Sequence, residues 1–188
     1  MKFICLLTIR NSIIYSTNNP EIYNINLNKL SGSNRPTLEH IFPKCYMNKI
    51  SHNDLHNIFK CNNEINNIRS NYKFNDLNFY NGNINNFTKI NNTNNYYSNK
   101  EKLFIPEIES RGIIARAIMY MSYEYKYKFN KVIDYDVLMN WCINYPPTKE
   151  EIYHNNMVYK RQYKRNKFID LYHKRNYKNY IHNLFSKI

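Results

Sequence analysis

Leu38-Glu39-His40-Ile41-Phe42-Pro43-Lys44 is the stretch from which the fold can be read. Its short apolar run and closing proline describe a strand over residues 38–42, which ends where the pyrrolidine ring removes a ladder donor. Working forward, residues 55–59 read as a second strand, with His56 and Asn57 between apolar neighbours. From Asn62 the period changes. Ile65, Ile68 and Tyr72 recur at three- and four-residue steps and turn one helical face inward, while Asn66 and Arg69 share another. The local order is therefore strand, loop, strand, helix. Adjacent residues of a regular strand point to opposite faces, so Glu39 and His40 can serve one site only where the strand is distorted or ends. Pro43 supplies such an end.

Outward from this core the chain is less regular. Residues 1–9 place one charge before a short apolar run, which Arg10 ends early; no small-residue cleavage pattern follows. We read a buried first strand or helix there in preference to a secretory leader, and an intracellular location in preference to secretion. Residues 17–35 are polar and turn-prone, punctuated by Gly32 before Pro36. Residues 75–99, nearly all Asn, Tyr, Phe, Thr and Ile around Gly82, have low complexity and predict a loop or irregular insertion. Residues 110–121 predict a helix, with Ser110 as its cap and Ile114, Ala117, Ile118 and Met121 as its apolar stripe. A further helix is predicted over residues 135–144, stopped by Pro146-Pro147. Thr148 and Glu151 form a capping box for the next, running towards Lys164. A last helix is predicted over 168–185.

The 188 residues suit a single domain with its own core. Asn, Ile, Tyr and Lys are heavily used and Gly and Ala are scarce, as an AT-rich coding genome would produce, so a lone Asn carries little meaning. The 19 tyrosines partly replace the usual aliphatic core. A formal charge of +13 favours a polyanionic partner. Its basic helical end carries Lys160, Arg161, Lys164, Arg165, Lys167, Lys174, Arg175 and Lys178, either a solvated face or a grip on phosphates. No later apolar run approaches the roughly 18–20 residues of a membrane span. Cys5, Cys45, Cys61 and Cys142 are widely spaced and form no CxxC pair. A Cys45/Cys61 zinc site would have atypical spacing, and buried free thiols are the better reading.

The polar residues of residues 38–71 have a shared chemistry. Phosphodiester hydrolysis needs a base to activate water, a cation to stabilise developing charge, and donors to hold the phosphate. His40 suits the base, because an unperturbed imidazole is largely neutral near pH 7. Glu39 and Asn66 offer hard oxygen ligands suited to Mg²⁺. Arg69 is placed to donate to a phosphate or to brace the site through Asp54 or Glu64.

These residues also carry a family resemblance. Glu39-His40-Ile41-Phe42-Pro43-Lys44 is similar to the Glu-His-(apolar)-(apolar)-Pro signature of the bacterial endonuclease I family, nucleases of the His-metal-finger (ββα-metal) class. Asp54-Leu55-His56-Asn57 resembles its Asp-(apolar)-His-Asn element, and Asn66, Arg69 and Asn71 its Asn-x-x-Arg-x-Asn helix. Downstream, Arg111-Gly112-Ile113-Ile114-Ala115-Arg116 with Tyr120-Met121 matches an Arg-Gly-x-(apolar)-Ala-Arg…Tyr-Met helix. Trp141…Tyr145-Pro146 and Gln162…Arg165-Asn166-x-Phe168-Ile169 match its C-terminal elements. The resemblance spans about residues 35–170, leaving the 75–99 insertion and a basic helical tail over 171–188 outside it.

The resemblance implies an α+β fold, with a ββα-metal core and a mainly helical C-terminal half in one domain over 1–188. It implies an endonuclease that cuts DNA, with RNA a second substrate, at little sequence preference and leaving 5′-phosphates. His40 would be the general base, with Glu39 and Asn66 as ligands of one Mg²⁺, which Mn²⁺ or Ca²⁺ could replace. Asp54, His56, Asn57, Arg69, Asn71 and Lys44 would brace the site or contact phosphate, backbone bracing being the better role for Asn57 and Asn71. Arg111 and Arg116 would be structural or phosphate-contacting. A monomer with no membrane association is expected.

There are departures. Residues 43–53 are shorter than in members whose insertion places an arginine over the scissile phosphate, leaving Lys44, Lys49 or Arg69 as stand-ins. The paired cysteines of secreted members have no counterpart, and residues 162–167 lack the usual Gly and Pro. The competing reading is a basic nucleic-acid-binding protein without catalysis; a membrane-surface protein rests on charge alone.

Overall fold

The computed structural model describes residues 20–23 and 36–186. The apolar start, Cys5 and the turn around Gly32 lie outside them. The fold is α+β. Strand β1 (Pro36–His40) pairs antiparallel with β2 (Ile58–Asn62), Glu39 opposite Phe59 and His40 opposite Ile58. Helix α1 (Asn63–Arg69) follows directly, capped by the Asn62 side chain, which accepts from the amides of Glu64 and Ile65. The two strands thus sit earlier and later than expected, and residues 55–57 form a 3-10 turn instead of strand. Pairing is lost there because the Asp54 carboxylate captures the His56 amide at 3.0 Å.

Beyond His40, main-chain pairing passes to a side chain. The Ile41 amide still reaches the Asn57 carbonyl at 3.1 Å. The Asn57 carboxamide then accepts from the Phe42 amide at 2.7 Å and donates to the Phe42 carbonyl at 3.0 Å, imitating a strand partner. On the far side of β2, the Glu21 segment forms a parallel bridge to Lys60.

Within 75–99, two 3-10 turns and two short strands interrupt the expected irregular region, and the strands belong to a larger sheet. A four-stranded sheet of order β3-β6-β5-β4 joins β3 (Lys73–Phe74), β4 (Thr88–Lys89), β5 (Tyr96–Ser98) and β6 (Leu103–Ile105). Asn and Asp side chains order the intervening turns: Asp76 accepts from the Asn78 amide and Asn83 from the Asn85 amide. The same residues that make the segment look featureless are its caps.

Helix α2 (Ile108–Tyr125) is the centre of the molecule, buried on every face from Ser110 to Ser122. It is longer than predicted, and Ser110 is not its cap; the serine hydroxyl accepts from the Tyr23 amide at 2.7 Å instead. Gly112 permits a close approach: a Cβ there would lie 2.5 Å from the Tyr145 carbonyl. Around α2 pack α3 (Tyr135–Asn144), with Trp141 and Cys142 fully buried, and α4 (Lys149–Gln162). Thr148 caps α4 by accepting from the Glu151 amide. The Glu151 carboxylate does not close the box; it forms a fork-on-fork pair with Arg116, at 2.7 and 2.6 Å. The predicted last helix is two, α5 (Lys167–Asp170) and α6 (Tyr177–Phe185). The break lets buried Tyr177 fold back, its hydroxyl reaching the Phe168 carbonyl and the Cys142 thiol.

Tyr23 and Tyr120 belong to the core, whereas many other tyrosines, such as Tyr72 and Tyr97, lie at its margin. Of the described cysteines, Cys61 and Cys142 are buried and Cys45 is exposed, all free. No described helix is long and apolar enough to cross a membrane.

Candidate active site

β1 stops at His40, and this stop decides the site. Glu39 and His40, neighbours in sequence, both line a single cavity of about 480 Å³, with Asn66 and Arg69 of α1 opposite and Lys44, Cys45 and Asn71 on its wall. The strand end also leaves the His40 and Ile41 carbonyls exposed to α1. Arg69, in the last turn of α1, donates to both, at 3.1 and 2.5 Å. Its Nη1 also pairs with Glu39 Oε1 at 2.9 Å, and its guanidinium lies 4.4 Å from the Phe74 ring centroid. Only 1 % of Arg69 is exposed. It therefore braces the site through Glu39 and the strand end, not through Asp54 or Glu64 as expected. The reason is spatial: α1 runs back under β1, while Asp54 faces α2.

Glu39 is buried, and burial pushes its carboxyl above the usual range, opposed by the Arg69 charge and a hydrogen bond from the Tyr23 hydroxyl at 3.1 Å. His40 Nε2 lies 2.9 Å from the His52 carbonyl. The Asn66 amide nitrogen points to the Leu38 carbonyl at 3.4 Å. Asn71 touches only the Cys45 sulfur at 3.8 Å among its described hydrogen bonds, and Lys44 is exposed.

Asp54, His56 and Asn57 do not reach the cavity; they form the turn behind it. Asp54 Oδ2 accepts from Tyr120 at 2.9 Å and Tyr125 at 2.7 Å, tying the turn to α2. The phenols remain donors, because burial and the Asp54 charge push both above their ordinary range. Leu55 takes Gln162 on its amide and His154 on its carbonyl. His56 Nε2 lies 3.1 Å from the Lys164 carbonyl, and burial lowers the pKa of the ring. A carbonyl only accepts, so both imidazoles donate to main chain. Tyr120 stood in the Tyr-Met motif without an assigned role; Tyr23, His154 and Tyr125 gave no signal in sequence, since their partners are set by packing alone. Arg111 is likewise internal, paired with Asp76, which also accepts from Trp141 Nε1.

The arrangement sets a buried carboxylate, an imidazole and a carboxamide around one cavity, open to a rim lysine, in a chain of net charge +13. Groups of this kind serve phosphodiester hydrolysis, and the class they define is nuclease. The Endonuclease I family model matches residues 9–172, extending the likeness well before residue 35, and the chain belongs to that family. Its substrate is nucleic acid.

The donor set can be tested against the cation that such a site would hold. Glu39 and Asn66 present hard oxygens, and no three His, Cys, Asp or Glu side chains converge among the described residues. Such a pair fits Mg²⁺, which keeps several waters and needs few protein ligands. It does not resemble a closed zinc site, and exposed Cys45 and buried Cys61 are poorly placed to form one.

Proposed function

We propose that the protein is a Mg²⁺-dependent endonuclease with a ββα-metal core, cutting DNA, and RNA as a second substrate, with little sequence preference. One observation carries the reading: Glu39, His40 and Asn66 share one cavity. His40 is the general base. Its Nε2 faces a carbonyl and so carries the hydrogen, which leaves the lone pair of the neutral ring on Nδ1. As the water oxygen bonds to phosphorus, Nδ1 takes the proton and the bond to the 3′ oxygen breaks. Solvent protonates that oxygen, giving a 5′-phosphate and a 3′-hydroxyl. Glu39 and Asn66 hold the Mg²⁺; when bound, the ion supplies positive charge for the phosphoryl and leaving oxygens, and Mn²⁺ or Ca²⁺ can replace it there. Lys44 supports the phosphate better than Arg69, whose guanidinium is engaged, or Lys49, which is not on the cavity wall. The same proposal keeps the monomeric state and the intracellular location expected from the sequence.

Plasmid cleavage with Mg²⁺, with Mn²⁺ and with chelator tests the reading. His40→Ala should lower the rate by about 10²-fold or more while DNA binding persists. If folded wild type leaves DNA and RNA intact in both metals, the catalytic reading fails and a binding protein without catalysis remains.

A further inference from the structure

We propose that Tyr23 is a positioning residue for Glu39, holding its carboxylate in the orientation that binds a divalent cation; this rests on the metal-dependent reading above. Tyr23 lies outside every motif noted in the sequence, yet it is fully buried and its hydroxyl donates to Glu39 Oε1 at 3.1 Å. Arg69 meets the same oxygen at 2.9 Å. Two donors converging on one oxygen fix both the rotation and the tilt of a carboxylate. Glu39 Oε2 carries neither of these contacts, and Glu39 lines the cavity.

The phenol is held in advance of any ligand. The Tyr23 amide donates to Ser110 Oγ at 2.7 Å, and its carbonyl accepts from Asn95 Nδ2 at 3.1 Å. Its ring packs on Phe104, with centroids 4.9 Å apart. The segment is held beside β2 by the Ile22 amide on the Lys60 carbonyl at 3.2 Å and by a Glu21–Lys60 ion pair. Tyr23 also has φ 67°, a left-handed conformation that bulky residues rarely adopt and that persists only where the surroundings over-determine it. Three separate parts of the chain thus fix the backbone and ring whose hydroxyl reaches the carboxylate. Groups that orient a metal ligand in this way raise metal affinity roughly 10–100-fold.

The test is calorimetric titration of Mn²⁺ into the metal-free full chain, with thermal melting and the Mn²⁺ concentration for half-maximal DNA cleavage measured alongside. Tyr23→Phe keeps the ring and removes the donor; its Mn²⁺ dissociation constant should rise about 10-fold or more. Tyr177→Phe removes another buried hydroxyl, one that contacts Cys142 and Phe168 away from the cavity. It should lower Tm and leave Mn²⁺ affinity unchanged. A folded Tyr23→Phe with wild-type affinity overturns the proposal while leaving the nuclease reading intact. Wild type that neither binds Mn²⁺ nor cuts DNA brings down both. Should Tyr23→Phe be unfolded without metal, refolding in excess Mn²⁺ with a raised half-saturation supports the proposal. A chain that stays unfolded at every Mn²⁺ concentration overturns it, because the phenol then serves the fold and not the ligand.

Discussion

Arg69 shows how one side chain can carry a strand end, a helix end and a buried carboxylate at once. It takes the two carbonyls that β1 leaves behind, pairs with Glu39 and covers Phe74, with almost no contact with water. Removing one member of a buried pair leaves the other charge uncompensated, which is far costlier than losing a surface bridge. Arg69→Met keeps much of the stem volume and removes every donor, and should cost about 3–5 kcal/mol in urea denaturation. A loss below about 1 kcal/mol would instead mark the pair as no stronger than a surface bridge. The Asn66–Arg69 spacing was visible in the sequence. The partner was not, because the choice of Glu39 over Asp54 or Glu64 depends on how α1 lies under β1, which no local pattern encodes.

Among the elements, α2 connects the hairpin to the helical half. Its tyrosines hold Asp54, and Arg116 ties it to α4 and to the Tyr145 carbonyl at 2.6 Å. At its start, burial and the nearby Glu109 charge raise the Glu107 carboxyl from its ordinary 4.5 to about 7. The folded chain then binds this proton more tightly than the unfolded one. Its stabilising contribution is complete below about pH 4.5 and is lost as pH rises through about 7. A carboxamide imitates the protonated form at every pH. Glu107→Gln should therefore melt about 3 °C above wild type near pH 8, and close to it in the acid limb. A constant difference across the pH range, followed by thermal melting, would refute this. Legibility differed with the source of each element's limits. Helix α3 was read to the residue, since its apolar pattern and the Pro146-Pro147 stop are local. Strands β4 and β5 within 75–99 and the break between α5 and α6 depend on distant partners. Asn95 joins Tyr23 to Glu107, and Tyr177 returns to Phe168.

For the molecule as a whole, charge governs the approach to substrate. Lys160, Arg161, Lys174, Arg175 and Lys178 are exposed, while Lys164 and Arg165 are drawn into pairs with Glu124 and Asp170. Binding driven by counterion release weakens steeply with salt. His40→Ala in chelator should lose DNA affinity at least about 10-fold between 50 and 200 mM NaCl, followed by fluorescence anisotropy. A flat response would remove the electrostatic account. The turn behind the cavity has a consequence of another kind. Asp54 depends on residues 66 and 71 positions downstream, and Leu55 and His56 on residues 99 to 108 downstream. On the ribosome, the carboxylate and imidazole emerge long before Tyr120, His154, Gln162 and Lys164 have been added. A half-made chain lacks these downstream partners, so the turn is tied to the helical half only once most of the chain has been made.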